Sequence, residues 1–422
     1  MSFDIALSGI QAINESLDVT SHNIANAGTY GYKSSRANFS SLVAGTQVTG
    51  VMIGSTTQNI GLQGGVLNTG RSLDASISGR GFFIARDPAT GTTEYTRVGI
   101  FDASKDGYLV DASGRRVQGT PIDPKTGTPG AIGDLAITTT AIPAVASTAV
   151  TYIGNVSADW TAPATAWVTP AAPYTDSPDT STFNMSKASV VYDSLGGKHT
   201  LTQYFSRTSD GAGGSTPNTV DVHYLLDGEE IGDPAAPTQL VFDPATGQMT
   251  TPDAATDAGT VNLTLVGKAT SNGGVMSDIA INYTGTTGFA GEATTSTNNA
   301  DGYASGTYSG VALDNDGSVI ASYSNGQKQT IGRLSIATFP DEGALTAVSD
   351  TSWVTSTTSG EPLINAPGVG MGGTLTVSSL EQSNVDITSE LVGLMTSQRN
   401  YQANSKVIQT ESTMLQSLMQ AI

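Results

Sequence analysis

The chain has 422 residues, of which 13% are charged and 6% aromatic, with 49 glycines and no cysteine. That length suits about two to four domains rather than one core, and the glycine count, with abundant Thr, Ser, Ala and Asn, describes turn-dense β structure. A formal charge of −19 on a chain with only 18 Lys and Arg argues against nucleic acid as a partner, and without Cys there is no disulfide, thiolate metal site or cysteine nucleophile.

The amino end opens on an apolar stripe of seven-residue period, Phe3, Ile10, Leu17 and Ile24, with a second row of Ala6, Ile13, Thr20 and Ala27. This spacing keeps one face of a helix apolar and predicts a helix over 3–27, about 37 Å long at 1.5 Å per residue. Gly28 is placed to end it in a left-handed turn. The segment lacks a basic n-region, its first Lys being Lys33, and its apolar residues are spaced rather than continuous, so it does not read as a cleaved signal peptide. No stretch reaches transmembrane length.

Residues 32–70 are interrupted by Gly45, Gly50, Gly54, Gly61, Gly64 and Gly65 and read as extended linker, with Gly61, Gly64 and Gly65 as hinge positions. A hairpin-rich β module follows: Phe82–Ile84 is a buried-strand candidate, and Tyr95–Phe101 and Tyr108–Val110 flank a turn at Asp106 and Gly107. Residues 151–299, richer in Thr, Ser, Pro, Ala and Asp, read as a separate β domain. Its expected strands are Ala188–Tyr192, Leu201–Phe205, Val220–Leu226, Gln239–Phe242 and Val261–Val266. After Gly302 the hairpin character returns, as in Val311–Leu313, Ile320–Tyr323 and Arg333–Phe339.

The carboxy end repeats the seven-residue stripe through Ile387, Leu394, Tyr401, Ile408, Leu415 and Ile422, predicting a helix of about 54 Å capped by Ser383 or Asn384. Its alternate row, Leu391, Gln398, Ser405, Ser412 and Met419, is partly polar, which suits a looser seam. The order helix, β module, β domain, β module, helix predicts a mainly β protein with long α-helical termini and nested, discontinuous domains. These are an inner terminal-helix domain (1–65 with 375–422) whose helices pair as a coiled coil, a discontinuous β module (66–150 with 300–374) and an inserted outer β domain (151–299). Residues 1–70 carry a net charge of −1 and 376–422 of −2, leaving −16 to the middle. Near-neutral ends stack without like-charge repulsion, and an acidic middle suits a solvated surface.

Chemistry is sparse. The three histidines, His22, His199 and His223, match no triad or metal-ligand spacing and read as structural or surface positions. Asp314-Asn315-Asp316-Gly317 has the opening of a calcium loop, but Asn325 stands where the bidentate Glu belongs, so a hairpin turn is the simpler reading. No helix follows Gly79-Arg80-Gly81 to cradle a phosphate. An enzyme, a cofactor, a metal and a small-molecule substrate are therefore not expected.

The segments NIANAGTYGYK (23–33), SNVDI (383–387) and ELVGLMTSQRNYQAN (390–404) resemble the terminal signatures of the flagellar axial proteins, the family of rod, hook and hook-associated subunits. GRGFF (79–83), YTRVGIF (95–101), GYLVDASGRRVQG (107–119) and LDNDGSVIASYSNGQKQTIG (313–332) are similar to it as well. The resemblance covers about 1–120 and 302–422; the middle matches loosely, through ASVVYDSLGGKHTL (188–201). Length and the inserted domain favour the hook branch over distal rod subunits, which are shorter, and over hook–filament junction subunits.

The resemblance implies a structural homopolymer of many copies, exported without a cleaved signal peptide by the flagellar type III apparatus to an extracellular hook. There it would form a curved tube, a universal joint passing torque from rod to filament around the export channel. It also implies rod, junction and hook-cap proteins as partners. Asn23, Asn26, Gly28, Tyr32, Gln398, Arg399 and Asn404 carry over as family-motif positions. Phe3, Ile10, Leu17, Ile24, Ile387, Leu394, Tyr401, Ile408 and Leu415 are the expected assembly anchors. A rival of another class is a secreted β-rich adhesin whose terminal helices merely oligomerise.

Overall fold

Both ends of the chain fold as their apolar periodicity demands. In the computed structural model, which describes residues 2–44, 47–124, 126–174, 177–209, 215–232, 236–252, 259–265, 270 and 273–420, helix α1 spans Ser2–Ala25 and helix α2 spans Ile387–Gln420. The expected positions Val266 and Ile422 lie outside the described residues. Two compact units are present: Met1–Thr139 with Ser309–Ser322 and Lys328–Ile422, and Thr140–Tyr308 with Tyr323–Gln327.

The helix ends differ from expectation in their chemistry. α1 stops at Ala25, where the Asn26 side chain donates to the His22 carbonyl at 2.9 Å and satisfies one of the open carbonyls of the last turn. The left-handed residue is Gly31 (φ +68°) rather than Gly28, and a Cβ on Gly31 would come within 3.1 Å of the Arg97–Val98 backbone. α2 is capped by Asp386, whose carboxylate accepts from the Thr388 N–H at 2.9 Å and from the Ser389 hydroxyl at 2.9 Å. Asn384 is not free to cap because it is already spent on loop backbone. It accepts from the Ser34 N–H at 2.7 Å and donates to the Asn59 and Leu62 carbonyls at 3.0 Å.

Much of the expected linker is in fact a long hairpin. Strand β1 (Ser35–Ala44) pairs antiparallel with β2 (Gln47–Gln58) from Ser35↔Gln58 to Ala44↔Gln47, and β2 packs along α1, where the Ser8 hydroxyl accepts from the Val51 N–H at 3.2 Å. The hairpin escaped the sequence reading because its Ser- and Thr-rich strands lack a clean apolar alternation.

The β module joins strands far apart in sequence. Phe82–Arg86 pairs with Thr93–Thr96, with Arg116–Pro121 and with Ile336–Thr338. Thr93–Thr96 pairs with Ser352–Val354, Ala75–Ser78 with Thr374–Val377, and Val66–Asn68 with Ser379–Glu381. Phe82, Tyr95, Phe339 and Trp353 fill the core between them, with Tyr95 edge-on to Phe339 at 4.8 Å and Phe82 tilted against Trp353 at 5.4 Å. The run 95–101 is not one strand. It breaks after Thr96, and Gly99 turns to accept from the Ala75 N–H at 2.9 Å. At the Asp316-Gly317 turn the Asp316 carboxylate takes Ser318 and, at 2.6 Å, Arg333, so its counter-ion is a guanidinium.

The other unit packs two sheets around one core. The first orders Thr260–Leu263, Ile279–Asn282, Ala149–Asn155 and Thr294–Ala300; the second orders Met185–Tyr192, Lys198–Ser209, Ser215–Leu226, Thr238–Phe242 and Met249–Thr251. Inside lie Tyr152, Phe205, Tyr224 and Tyr283; the Tyr224 and Tyr283 hydroxyls are 3.0 Å apart, and the Tyr283 hydroxyl donates to Gln203. Burial pushes the Tyr224 phenol up to about 12.

His199 in this unit sits between two carboxylates, Nδ1 at 2.6 Å from Asp227 and Nε2 at 3.2 Å from Asp193. Burial pulls its pKa down, but the bonds to Asp227 and Asp193 outweigh burial and leave it raised above 6.5. A raised folded-state pKa stabilises the fold below the unfolded value, and that stabilisation is lost as pH climbs through the folded value. We expect the denaturation midpoint followed by Trp160 and Trp167, in a Trp353→Phe background, to exceed that of His199→Gln most below about pH 6.5, and the gap to narrow as pH rises through the folded-state value of His199. A gap that does not change with pH would assign the pH dependence elsewhere.

Candidate functional site

α1 and α2 pair antiparallel. The register is read from two points: Asn23 Nδ2 donates to Glu390 Oε1 at 2.9 Å, and a Cβ on Gly9 would come within 2.8 Å of Asn404 Nδ2. Gly9 is thus a close-approach position, where glycine lets the family-motif Asn404 lie against the α1 backbone.

Asn23 is the knot at the root of this pair. It is 1% exposed, and its amide donates to both the Ser35 carbonyl (2.8 Å) and Glu390. Its oxygen accepts from the Ser35 N–H (2.9 Å) and the Tyr32 hydroxyl (3.3 Å). One side chain therefore ties α1, the turn after it, the start of β1 and the first turn of α2. Burial, and then the Glu390 carboxylate, push the Tyr32 phenol up, so it stays a neutral donor.

Below the knot lies a buried ionic cluster. Lys33 Nζ sits 2.6 Å from Glu381 Oε1 and donates to the Leu62 carbonyl at 2.8 Å; Arg97 Nη1 lies 3.4 Å from Glu381 Oε2, and its Nη2 donates to the Gly79 carbonyl at 2.8 Å. The Lys33, Glu381 and Arg97 side chains are 1%, 0% and 2% exposed. Burial pulls both cations below their usual pKa against the pull of Glu381. Gly64 closes the cluster. Its N–H donates to Glu381 Oε1 at 3.1 Å, and a Cβ there would stand 1.9 Å from the Gln382 carbonyl oxygen. Of the three glycines read as hinges, Gly64 is thus hemmed in, the Gly65 carbonyl accepts from the Gln382 N–H at 2.7 Å, and Gly61 has open space around it.

The anchors divide by exposure. Ile10, Leu17, Ile24, Leu394 and Ile408 are half-buried, whereas Phe3, Ile387, Tyr401 and Leu415 are exposed. The buried face of α1 is the neighbouring row, with Ala6, Ala12, Ile13, Thr20 and Asn23. Asn23, Tyr32 and Asn404 are brought to the helix pair, Asn26 serves its own helix end, and Gly28 is exposed. Gln398 and Arg399 are exposed and make no hydrogen bond or ion pair among the described residues. Lys33, Arg97, Glu381, Glu390 and Gly9 escaped the sequence reading; Lys33 and Arg97 lie inside the motifs 23–33 and 95–101, but nothing local marks Glu381.

Three family models match parts of the chain: the flagellar hook protein FlgE/F/G D1 domain over 76–158, the flagellar basal body protein FlaE D2 domain over 159–303 and the flagellar basal body rod FlgEFG protein C-terminal region over 377–421. The flagellar hook protein FlgE of Salmonella typhimurium is 33% identical over 430 residues, covering 99% of each chain. The chain belongs to the flagellar hook protein FlgE family. Hook proteins FlgE of Escherichia coli (32% identity, 99% of each chain) and Treponema pallidum (30% identity, 98% of this chain and 97% of that one) are further relatives. The crystal structure of Helicobacter pylori flagellar hook protein FlgE2 shares the fold, with a TM-score of 0.50 over 75% of this chain and 100% of that one at 14% identity. As a FlgE-family member the chain is a structural subunit of the bacterial flagellar hook.

Proposed function

We propose that this FlgE-family subunit polymerises through its terminal helices into a curved, flexible tube that passes torque from rod to filament and encloses the export channel. One observation carries this reading: α2 runs for 34 residues without a single buried one, although Ile387, Leu391, Val392, Met395, Tyr401, Val407, Met414, Leu415, Leu418 and Met419 lie along it. A soluble monomer rarely leaves so long an apolar surface to water, and further copies of the chain are the natural cover.

Within that reading the residues Phe3, Ile10, Leu17, Ile24, Ile387, Leu394, Tyr401, Ile408 and Leu415 are assembly anchors. The near-neutral helices (1–65 with 375–422) surround the bore, the β module (66–150 with 300–374) forms the next layer, and the acidic insert (151–299) faces solvent. The tight helix contacts near the axis move least on bending, and weak polar contacts lie farther out. Gly61, with room around it, is the place where the linker flexes. Rod, junction and cap proteins and the export apparatus meet the two ends of such a tube at the extracellular hook, and the role is structural rather than catalytic.

Electron microscopy of the purified chain assembled in a strongly salting-out buffer tests this. Curved, open-ended tubes are expected. Straight rods would move the assignment to the rod, and a fixed small oligomer by mass photometry would favour an oligomeric adhesin.

A further inference from the structure

In the antiparallel register the last residues of α2 lie beyond the level of Ser2, the first described residue of α1. Asn23 faces Glu390 and Gly9 faces Asn404, fourteen residues further along each helix, so the same register brings Ser2 level with Glu411. Residues 412–420 extend past it for about 14 Å at 1.5 Å per residue. They carry no charged side chain, and Met414, Leu415, Leu418 and Met419, spaced to share one helix face, are 60%, 59%, 61% and 75% exposed.

The same unit holds an unfilled groove of about 560 Å³ between α1, α2 and the β1–β2 hairpin. Small residues (Gly9, Gly393, Ala403) and apolar ones (Ile13, Phe39, Val51) line it together with four uncharged polar side chains; none of its lining residues is charged. Its own chain's tail cannot reach it, because Leu415 continues the very helix that lines the groove, eleven residues or about 16 Å beyond Asn404.

We infer that the α2 tail of one copy, residues 412–420, docks its Met414, Leu415 and Leu418 face into this groove on the next copy. The inference rests on the polymerisation reading above and names the contact that makes it directional. A tail on one face and a groove on another form a heterologous contact, which repeats without closing and so builds an open polymer. An apolar helix face laid in a groove is a recurrent recognition mode; here Ile13, Phe39 and Val51 supply the apolar contact, and the absence of charge on both sides leaves no repulsion to overcome.

The chain has no Cys, so a Ser397→Cys, Leu418→Cys double variant reports the contact cleanly. After assembly and mild oxidation, a non-reducing gel is expected to show a ladder of linked copies that is lost in either single-cysteine variant. If the double variant does not assemble, the two single-cysteine chains copolymerised with excess unmodified chain should yield a linked dimer. Polymers visible by electron microscopy with only monomer on the gel in both formats would overturn the docking while leaving the polymerisation reading intact. An unmodified chain that never polymerises would overturn both.

Discussion

Replacing Glu381 by Ala is expected to destabilise the helix-bearing unit by about 3–5 kcal/mol, because removing the shared anion strands two buried cations. Glu381 is fully buried, and it is the ionic partner of both Lys33 and Arg97, whose remaining bonds are to backbone carbonyls. A carbonyl dipole does not replace a carboxylate for cations buried this deeply. For a unit of this size the loss corresponds to a fall in Tm of roughly 6–20 °C. Trp353, in that unit's core, reports the transition by fluorescence once Trp160 and Trp167 are replaced by Phe. Lys33→Met, which leaves Glu381 paired with Arg97, should cost less. A Glu381→Ala chain melting within 2 °C of the parent, against the roughly 6–20 °C expected, would show that the cluster is not holding the helix roots.

The second large effect falls on assembly. The double variant Leu394→Asp, Ile408→Asp is expected to abolish tube formation while far-UV circular dichroism retains the β signal. Both residues are half-buried on the α2 face turned to α1, and the register places Leu394 level with Val19 and Ile408 level with Ile5. Each change gives up about 1–2 kcal/mol of apolar burial and sets a carboxylate where its desolvation is uncompensated. The loss recurs in every subunit, so a modest cost per chain becomes a large shift in the polymerisation equilibrium. The β units, whose cores lie elsewhere, keep their packing. Normal tubes from this double variant would remove both residues from the seam.

How far the chain could be read from its residues depended on whether the signal was local. The two helices were legible because a period of seven persists over several turns, and the buried strand at Phe82–Ile84 because three large apolar residues adjoin. The hairpin Ser35–Gln58 was not, because its apolar residues do not alternate cleanly with its Ser and Thr and its strands owe their place to α1 packing beside them. The helix caps went astray for a related reason. Ser383, Asn384 and Asp386 all have capping side chains, and Asp386 holds the position because loop backbone had already claimed Asn384.

The sequence by itself determined that both ends are amphipathic helices, that the middle is β, that the negative charge gathers in that middle and that the chain carries the axial-protein signatures, since each of these is written in nearest-neighbour pattern or composition. Only the tertiary structure decided that Asn23 meets Glu390, that Lys33 and Arg97 share Glu381, that Gly9 and Gly64 are close-approach positions, and that the α2 tail runs past its partner helix. Those contacts join residues hundreds of positions apart. Their energies come from burial and geometry that exist only once the chain has closed on itself, so no local pattern encodes them.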